Sequence, residues 1–87
     1  MANENETKQQ IREFVIENFL MGDAAAMLKD GESFLETGTI DSTGVLEVVT
    51  FLESHFNIKV EDKDLVPENL DSVDNLAKYV QRRKHAA

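Results

Sequence analysis

Ile40-Asp41-Ser42-Thr43-Gly44-Val45-Leu46 is the stretch whose reading decides the fold, because it sets an acid and a hydroxyl where a helix begins. Val45, Val49, Leu52 and Phe56 follow at helical spacing with Val48 alongside, which predicts a helix over Ser42–His55 with one apolar face and a stop at Asn57. At about 100° per residue, Thr43, Glu47, Thr50 and Ser54 fall on the opposite side, open to partners. Gly38-Thr39-Ile40 leads in as a turn, and Asp41 is placed to accept a hydrogen bond from a free N–H of the first helical turn. Ser42 then stands at the positive end of the helix dipole, its hydroxyl toward solvent, where unpaired amides favour phosphate. It is the candidate functional residue, suited to carry a phosphate ester or phosphodiester.

Upstream, Ile11, Phe14, Val15 and Phe19 mark one face of a first helix predicted over Thr7–Met21, with Thr7 and Gln10 as a capping box and Gly22 as its stop. Met1–Glu6 is expected to fray. Asp23–Lys29 offers a short helical turn that lays Met27 and Leu28 on the bundle, or an ordered loop. Asp30–Asp41 holds Gly31 and Gly38 among polar residues and reads as a long connection anchored by Phe34 and Leu35. A connection of that length in a compact domain calls for a purpose, and here it delivers Ser42.

Downstream, Ile58-Lys59-Val60 alternates like a strand but has no second alternating segment to pair with, so it is expected to be an extended connector. Asp62–Val66 predicts one short helical turn ended by Pro67, and Asp71-Ser72 starts a last helix over Ser72–Arg83 carrying Val73, Leu76, Ala77 and Val80. Its cationic end, Arg82 to Lys84, suits the negative end of the dipole. The expected architecture is all-α: three main helices and one short one, with a long first loop. The expected core is Ile11, Val15, Phe34, Val49, Leu52, Phe56, Leu76 and Val80, with Tyr79 at the bundle edge and Phe51 either packed against the loop, the favoured reading, or part of the contact surface.

Eighty-seven residues make one domain, with its core over about residues 7–83 and no room for a deep enclosed active site. The absence of cysteine excludes disulfides, thiolate nucleophiles and cysteine zinc sites. With no long apolar run and a polar, acidic start, the expectation is a soluble cytoplasmic monomer with no membrane span. Net charge is −8, and Asp30–Asp74 alone holds twelve acids against two lysines, a balance of −10. Such a field repels nucleic acid and anionic lipid and steers basic protein partners.

Other chemistries fit poorly. A serine nucleophile needs a histidine within hydrogen-bond reach, but His55 lies roughly 20 Å along the same helix and His85 is in a tail expected to fray. Gly38 and Gly44 miss the nucleophile-elbow spacing. A calcium loop starting at Asp62 would meet Val66, Pro67 and Val73 where an oxygen ligand, glycine and glutamate are required. No catalytic residue and no metal site are therefore expected.

Asp41-Ser42 heading an apolar and acidic helix, Phe34-Leu35 with a glycine turn before it, and Phe56-Asn57-Ile58 followed by an acidic segment together resemble the acyl and peptidyl carrier proteins. Asp64-Leu65 through Pro67-Glu68-Asn69-Leu70-Asp71-Ser72-Val73 is also similar to some stand-alone carriers. The resemblance spans about Ile11 to Val80. It implies a four-helix bundle of acyl-carrier type in which Ser42 bears 4'-phosphopantetheine, taken from coenzyme A by a separate magnesium-dependent phosphopantetheinyl transferase, with Asp41 as the adjacent motif acid. The arm's thiol would hold acyl or aminoacyl cargo as a thioester, loaded by a ligase or synthase and passed to a downstream transferase. The family's recognition helix maps Thr43, Glu47, Thr50, Glu53 and Ser54 onto the partner-binding face. Many fatty-acid carriers follow the serine with leucine and then an acid; Thr43 and Gly44 stand here instead, which points to a specialised carrier for an amino acid, a hydroxy acid or an unusual acyl group. The alternative is an unmodified acidic helical adaptor that binds a basic protein.

Overall fold

The computed structural model describes residues 3–86, with side chains to residue 84; the expected fraying of Met1 and Ala2 and the side chain of His85 lie outside them. Within these bounds the chain is all-helical. Three long helices, α1 (Glu4–Phe19), α3 (Ser42–Phe56) and α5 (Val73–Ala86), are joined through single-turn helices α2 (Phe34–Thr37) and α4 (Pro67–Leu70) and two 3₁₀ turns at Ala24–Ala26 and Asp62–Asp64.

α1 starts three residues earlier than expected. Asn3, rather than Thr7, caps it, its side-chain oxygen accepting from the Glu6 amide at 2.8 Å, and Glu4 and Glu6 complement the positive end of the dipole. Thr7 is instead fully buried, and its hydroxyl accepts a hydrogen bond from Gln81 Nε2 at 3.1 Å, tying α1 to α5. α1 stops at Phe19, where Met21 (φ 53°) and Gly22 (φ 82°) turn left-handed and the Gly22 amide returns to the Ile16 carbonyl at 2.8 Å. Met27 and Leu28 pack on the core, as the sequence suggests.

The long first connection is not pure loop, because α2 interrupts it. Phe34 is buried as expected, but Leu35 is exposed. Pro67 does not merely end a turn; it occupies the first turn of α4, where its missing N–H costs nothing.

The core unites Ile11 and Val15 of α1 with Val48, Leu52 and Phe56 of α3 and Val73, Leu76, Ala77 and Val80 of α5, closed by Phe34, Ile40, Val60 and Leu70. Val49, expected in the core, is only half-buried, and Val48 is buried instead. Gly44 heads the buried row Gly44, Val48, Leu52, Phe56; an added Cβ there would lie 2.9 Å from both Ile40 Cγ2 and Phe19 Cε1, so the absence of a side chain permits this close approach. Tyr79 is buried, not at the edge, and donates its hydroxyl to Asp64 Oδ2 at 2.7 Å. No helix among the described residues is long and apolar enough to cross a membrane.

Candidate functional site

The start of α3 takes the form its sequence calls for. Asp41 is extended (φ −92°, ψ −179°) and is the N-cap, its Oδ1 accepting from the Gly44 amide at 2.7 Å while its carbonyl takes the Val45 amide at 3.1 Å. Two of the first four helical amides are thus satisfied. Those of Ser42 and Thr43 find no partner among the described residues, and neither does the Ser42 hydroxyl. Ser42 is exposed, so it sets an accessible hydroxyl in the first turn of a fifteen-residue helix, at the positive end of its dipole.

Beside Ser42 opens a cleft of about 270 Å³ lined by Leu35, Val45, Leu46, Leu65, Val66, Pro67, Leu70 and Asp71. Its rim is apolar and wet: Leu46 is 60% exposed, Leu35 43%, Leu65 40% and Val66 37%. Single exposed apolar side chains are ordinary, but four around one serine are a grouped surface. The sequence carried one signal for it, Leu46, an apolar residue off the core stripe four positions after Ser42; the others come from segments that only folding brings near.

Asp71 holds two sides of this cleft together. Its carboxylate accepts from the Ser33 hydroxyl and, at 2.9 Å, from the Leu35 amide, while its carbonyl takes the Phe34 amide at 2.8 Å. The start of α2, and with it the Leu35 rim, is pinned to the turn between α4 and α5. Asp64 does the same for the opposite rim: its carboxylate is held by Tyr79 and its carbonyl by Asn69 Nδ2 at 3.0 Å, immediately before Leu65 and Val66.

The outward residues of α3 separate into two groups. Thr43, Glu47, Thr50 and Ser54 are exposed. Glu53 is half-buried, and its carboxylate accepts from the Val60 amide at 3.0 Å, bracing the connector after α3. His55 lies at the far end of the helix from Ser42, its Nε2 3.0 Å from Gln10 Oε1 and its ring stacked on Phe51. It cannot serve the serine as a base.

No family model matches the chain. Among curated proteins, D-alanyl carrier proteins of Streptococcus pyogenes, from strain Manfredo and strain NZ131, are each 34% identical to it over 79 residues, covering 87% of this chain and 98% of the relative. The chain belongs to the acyl and peptidyl carrier protein family. The match runs nearly end to end on the relatives' side, so the whole carrier unit of those relatives has its counterpart in this chain. The helical bundle agrees with a carrier.

Proposed function

We propose that this carrier bears 4'-phosphopantetheine on Ser42 and presents a small aminoacyl group, of the D-alanyl class named in its relatives, to partner enzymes. The observation that carries the reading is the Ser42 hydroxyl: exposed, without a partner among the described residues, and in the first turn of a long helix whose unpaired amides favour a phosphodiester. The residues around it fit the group. The unpaired amides of Ser42 and Thr43, at the positive end of α3, would favour the phosphate, and Leu46, Val45, Leu35 and Leu65 offer an apolar surface for the branched, apolar part of the arm nearest it. When bound, the arm supplies a terminal thiol on which cargo is held as a thioester. Asp41 fixes the helix start and so the direction in which Ser42 points.

The small cleft and a core closed by residues such as Val15, Leu52, Leu76 and Val80, all fully buried, suit a compact cargo better than a long chain. Thr43 and Gly44 after the serine point the same way, to an aminoacyl group in preference to a fatty acyl chain. The chain itself performs no catalysis in this reading. A phosphopantetheinyl transferase modifies it, an aminoacyl ligase loads it and a downstream transferase unloads it, in the cytoplasm and with the carrier as a monomer. The partners meet the exposed face of α3 at Thr43, Glu47, Thr50 and Ser54, with Glu53 shaping its end.

Intact mass decides the matter. The purified protein is incubated with coenzyme A, magnesium and a broad-specificity phosphopantetheinyl transferase, with Ser42→Ala in parallel. A gain of one phosphopantetheine by the native chain alone is expected; no gain by a folded native sample, or gain by the alanine variant, overturns the reading, and the former leaves the unmodified acidic adaptor.

A further inference from the structure

The cleft beside Ser42 is apolar but for one charge. Of the residues that line it, only Ser42 and Asp71 have polar side chains, and Asp71 alone can carry charge. Asp71 is one of four half-buried aspartates, and the other three have partners that answer them. Arg12 pairs with Asp30 and Lys8 with Asp74, while Tyr79 donates its hydroxyl to Asp64. Asp71 pairs with no cation among the described residues. Its carboxylate accepts from two neutral donors, the Ser33 hydroxyl and, at 2.9 Å, the Leu35 amide. A carboxylate has about four lone-pair sites, so roughly half of its accepting capacity stays open.

Nor is this acid free to turn elsewhere. Its own amide is held by the Pro67 carbonyl at 3.0 Å and its carbonyl by the Phe34 amide at 2.8 Å, while both carboxylate oxygens are tied to the start of α2. The charge is therefore set in place beside Leu35, a wall of the cleft, before any ligand arrives. Apolar walls exclude water and strengthen what a charge meets there. A cleft of about 270 Å³ with one fixed carboxylate matches a compact group with a small apolar body and a cationic donor. A purely aliphatic group leaves the charge unanswered, and an anionic one is repelled.

We propose that Asp71 is a cargo-recognition residue, whose carboxylate pairs with the α-ammonium of an aminoacyl group carried on the arm of Ser42 when that group returns to the cleft. The inference rests on the carrier reading and deepens it, because it gives one residue the choice of an aminoacyl over a plain acyl cargo. The rival donors are the amide N–H groups of the arm itself. They are neutral and present whatever the cargo, so comparison of cargoes separates the two.

The test uses the full chain with its arm attached and loaded with D-alanyl or with propionyl, each through a stable amide in place of the thioester. The two cargoes differ in the α-ammonium alone. Chemical shifts are read at the Leu35 amide and at the Asp71 carboxylate carbon, which reports the charge contact directly. D-alanyl is expected to populate the cleft about two- to fivefold more than propionyl, the worth of a partly exposed ion pair, and to lose that excess as salt rises. Asp71→Asn keeps an oxygen for the Leu35 amide and offers the Ser33 hydroxyl a donor in place of an acceptor, so α2 stays tethered. In that variant the two cargoes are expected to perturb the Leu35 amide equally. Equal perturbation by both cargoes in the native chain, a perturbation already complete on the unloaded arm, or a D-alanyl excess that survives Asp71→Asn overturns the proposal. Intact mass separates its failure from that of the carrier reading: an attached arm without a D-alanyl excess sinks the cargo contact alone, whereas a folded chain that takes no arm sinks the carrier reading and the contact with it.

Discussion

Gly44 sets the packing of α3 against the end of α1, so its replacement weighs two opposed effects. Alanine gains up to about 1 kcal/mol of helix propensity, but its methyl must sit 2.9 Å from both Phe19 and Ile40, an overpacking that costs roughly 1–3 kcal/mol. Both neighbours are held in the packed end of the bundle, so Gly44→Ala is expected to lower stability in chemical denaturation; a more stable variant would show that Phe19 swings away freely. Tyr79 gives a second residue-scale expectation. Burial, and after it the hydrogen bond to Asp64, push its phenol up to about 12 from the usual 10. The folded chain therefore keeps a proton that the unfolded chain releases, so this contribution is whole below about pH 10 and is lost as pH rises towards 12. Lys8, raised chiefly by its hydrogen bond to Asp74, shifts in the same direction. Comparison of native with Tyr79→Phe isolates the phenol: the variant is expected to be less stable at pH 8 and to lose less between pH 10 and 12, and parallel curves would show that the phenol is not the group responsible.

At the scale of elements, the long helices and the short turns within Asp23–Lys29 and Asp62–Val66 were legible, whereas α2 and α4 were not, for a physical reason. α3 announces itself locally, through Asp41, the apolar rows and Asn57, which closes it in the left-handed conformation (φ 55°). α2 has four residues, too few to form without help, and much of that help is remote: Asp71 caps it from 36 residues away in sequence. Nothing in Ser33-Phe34-Leu35-Glu36 alone names that partner. The same holds for Glu53, whose periodicity puts it near the outward face while its bond to Val60 turns it to a structural task, and for Tyr79, whose partner Asp64 lies in a turn. The serine and its cap were readable because all their contacts are local; the cleft beside them was not, because its rim is assembled from three separate segments. Asp71→Ala is accordingly expected to speed amide hydrogen exchange at Leu35 and Glu36 and to cost about 1–3 kcal/mol, leaving exchange within α3 little changed. Unaltered protection at Leu35 would mean that Ser33 and Gly38 hold α2 without it.

For the molecule as a whole, charge has an uneven geography. Several cations of the long helices are engaged by the fold: Lys8 pairs with Asp74 of α5 and Arg12 with Asp30, while Arg82 donates to Asn69 and Arg83 to the Lys59 carbonyl. Glu47 stays exposed on a helix with no cation, so an approaching basic surface meets an uncompensated field beside Ser42. Fields of this kind raise the encounter rate more than the lifetime of a complex, and salt screens them over about 10 Å at 0.1 M. If α3 is the docking face, Glu47→Lys slows arm attachment to Ser42 severalfold at low ionic strength, chiefly through a raised KM of the transferase for the carrier, and the deficit shrinks as salt rises. Glu68→Lys, an equal charge change on exposed α4, alters net charge identically and so controls for the field at large. A deficit for Glu47→Lys that exceeds that of Glu68→Lys, and that salt relieves, locates docking on α3; equal deficits would reduce the face to one patch of a generally acidic surface.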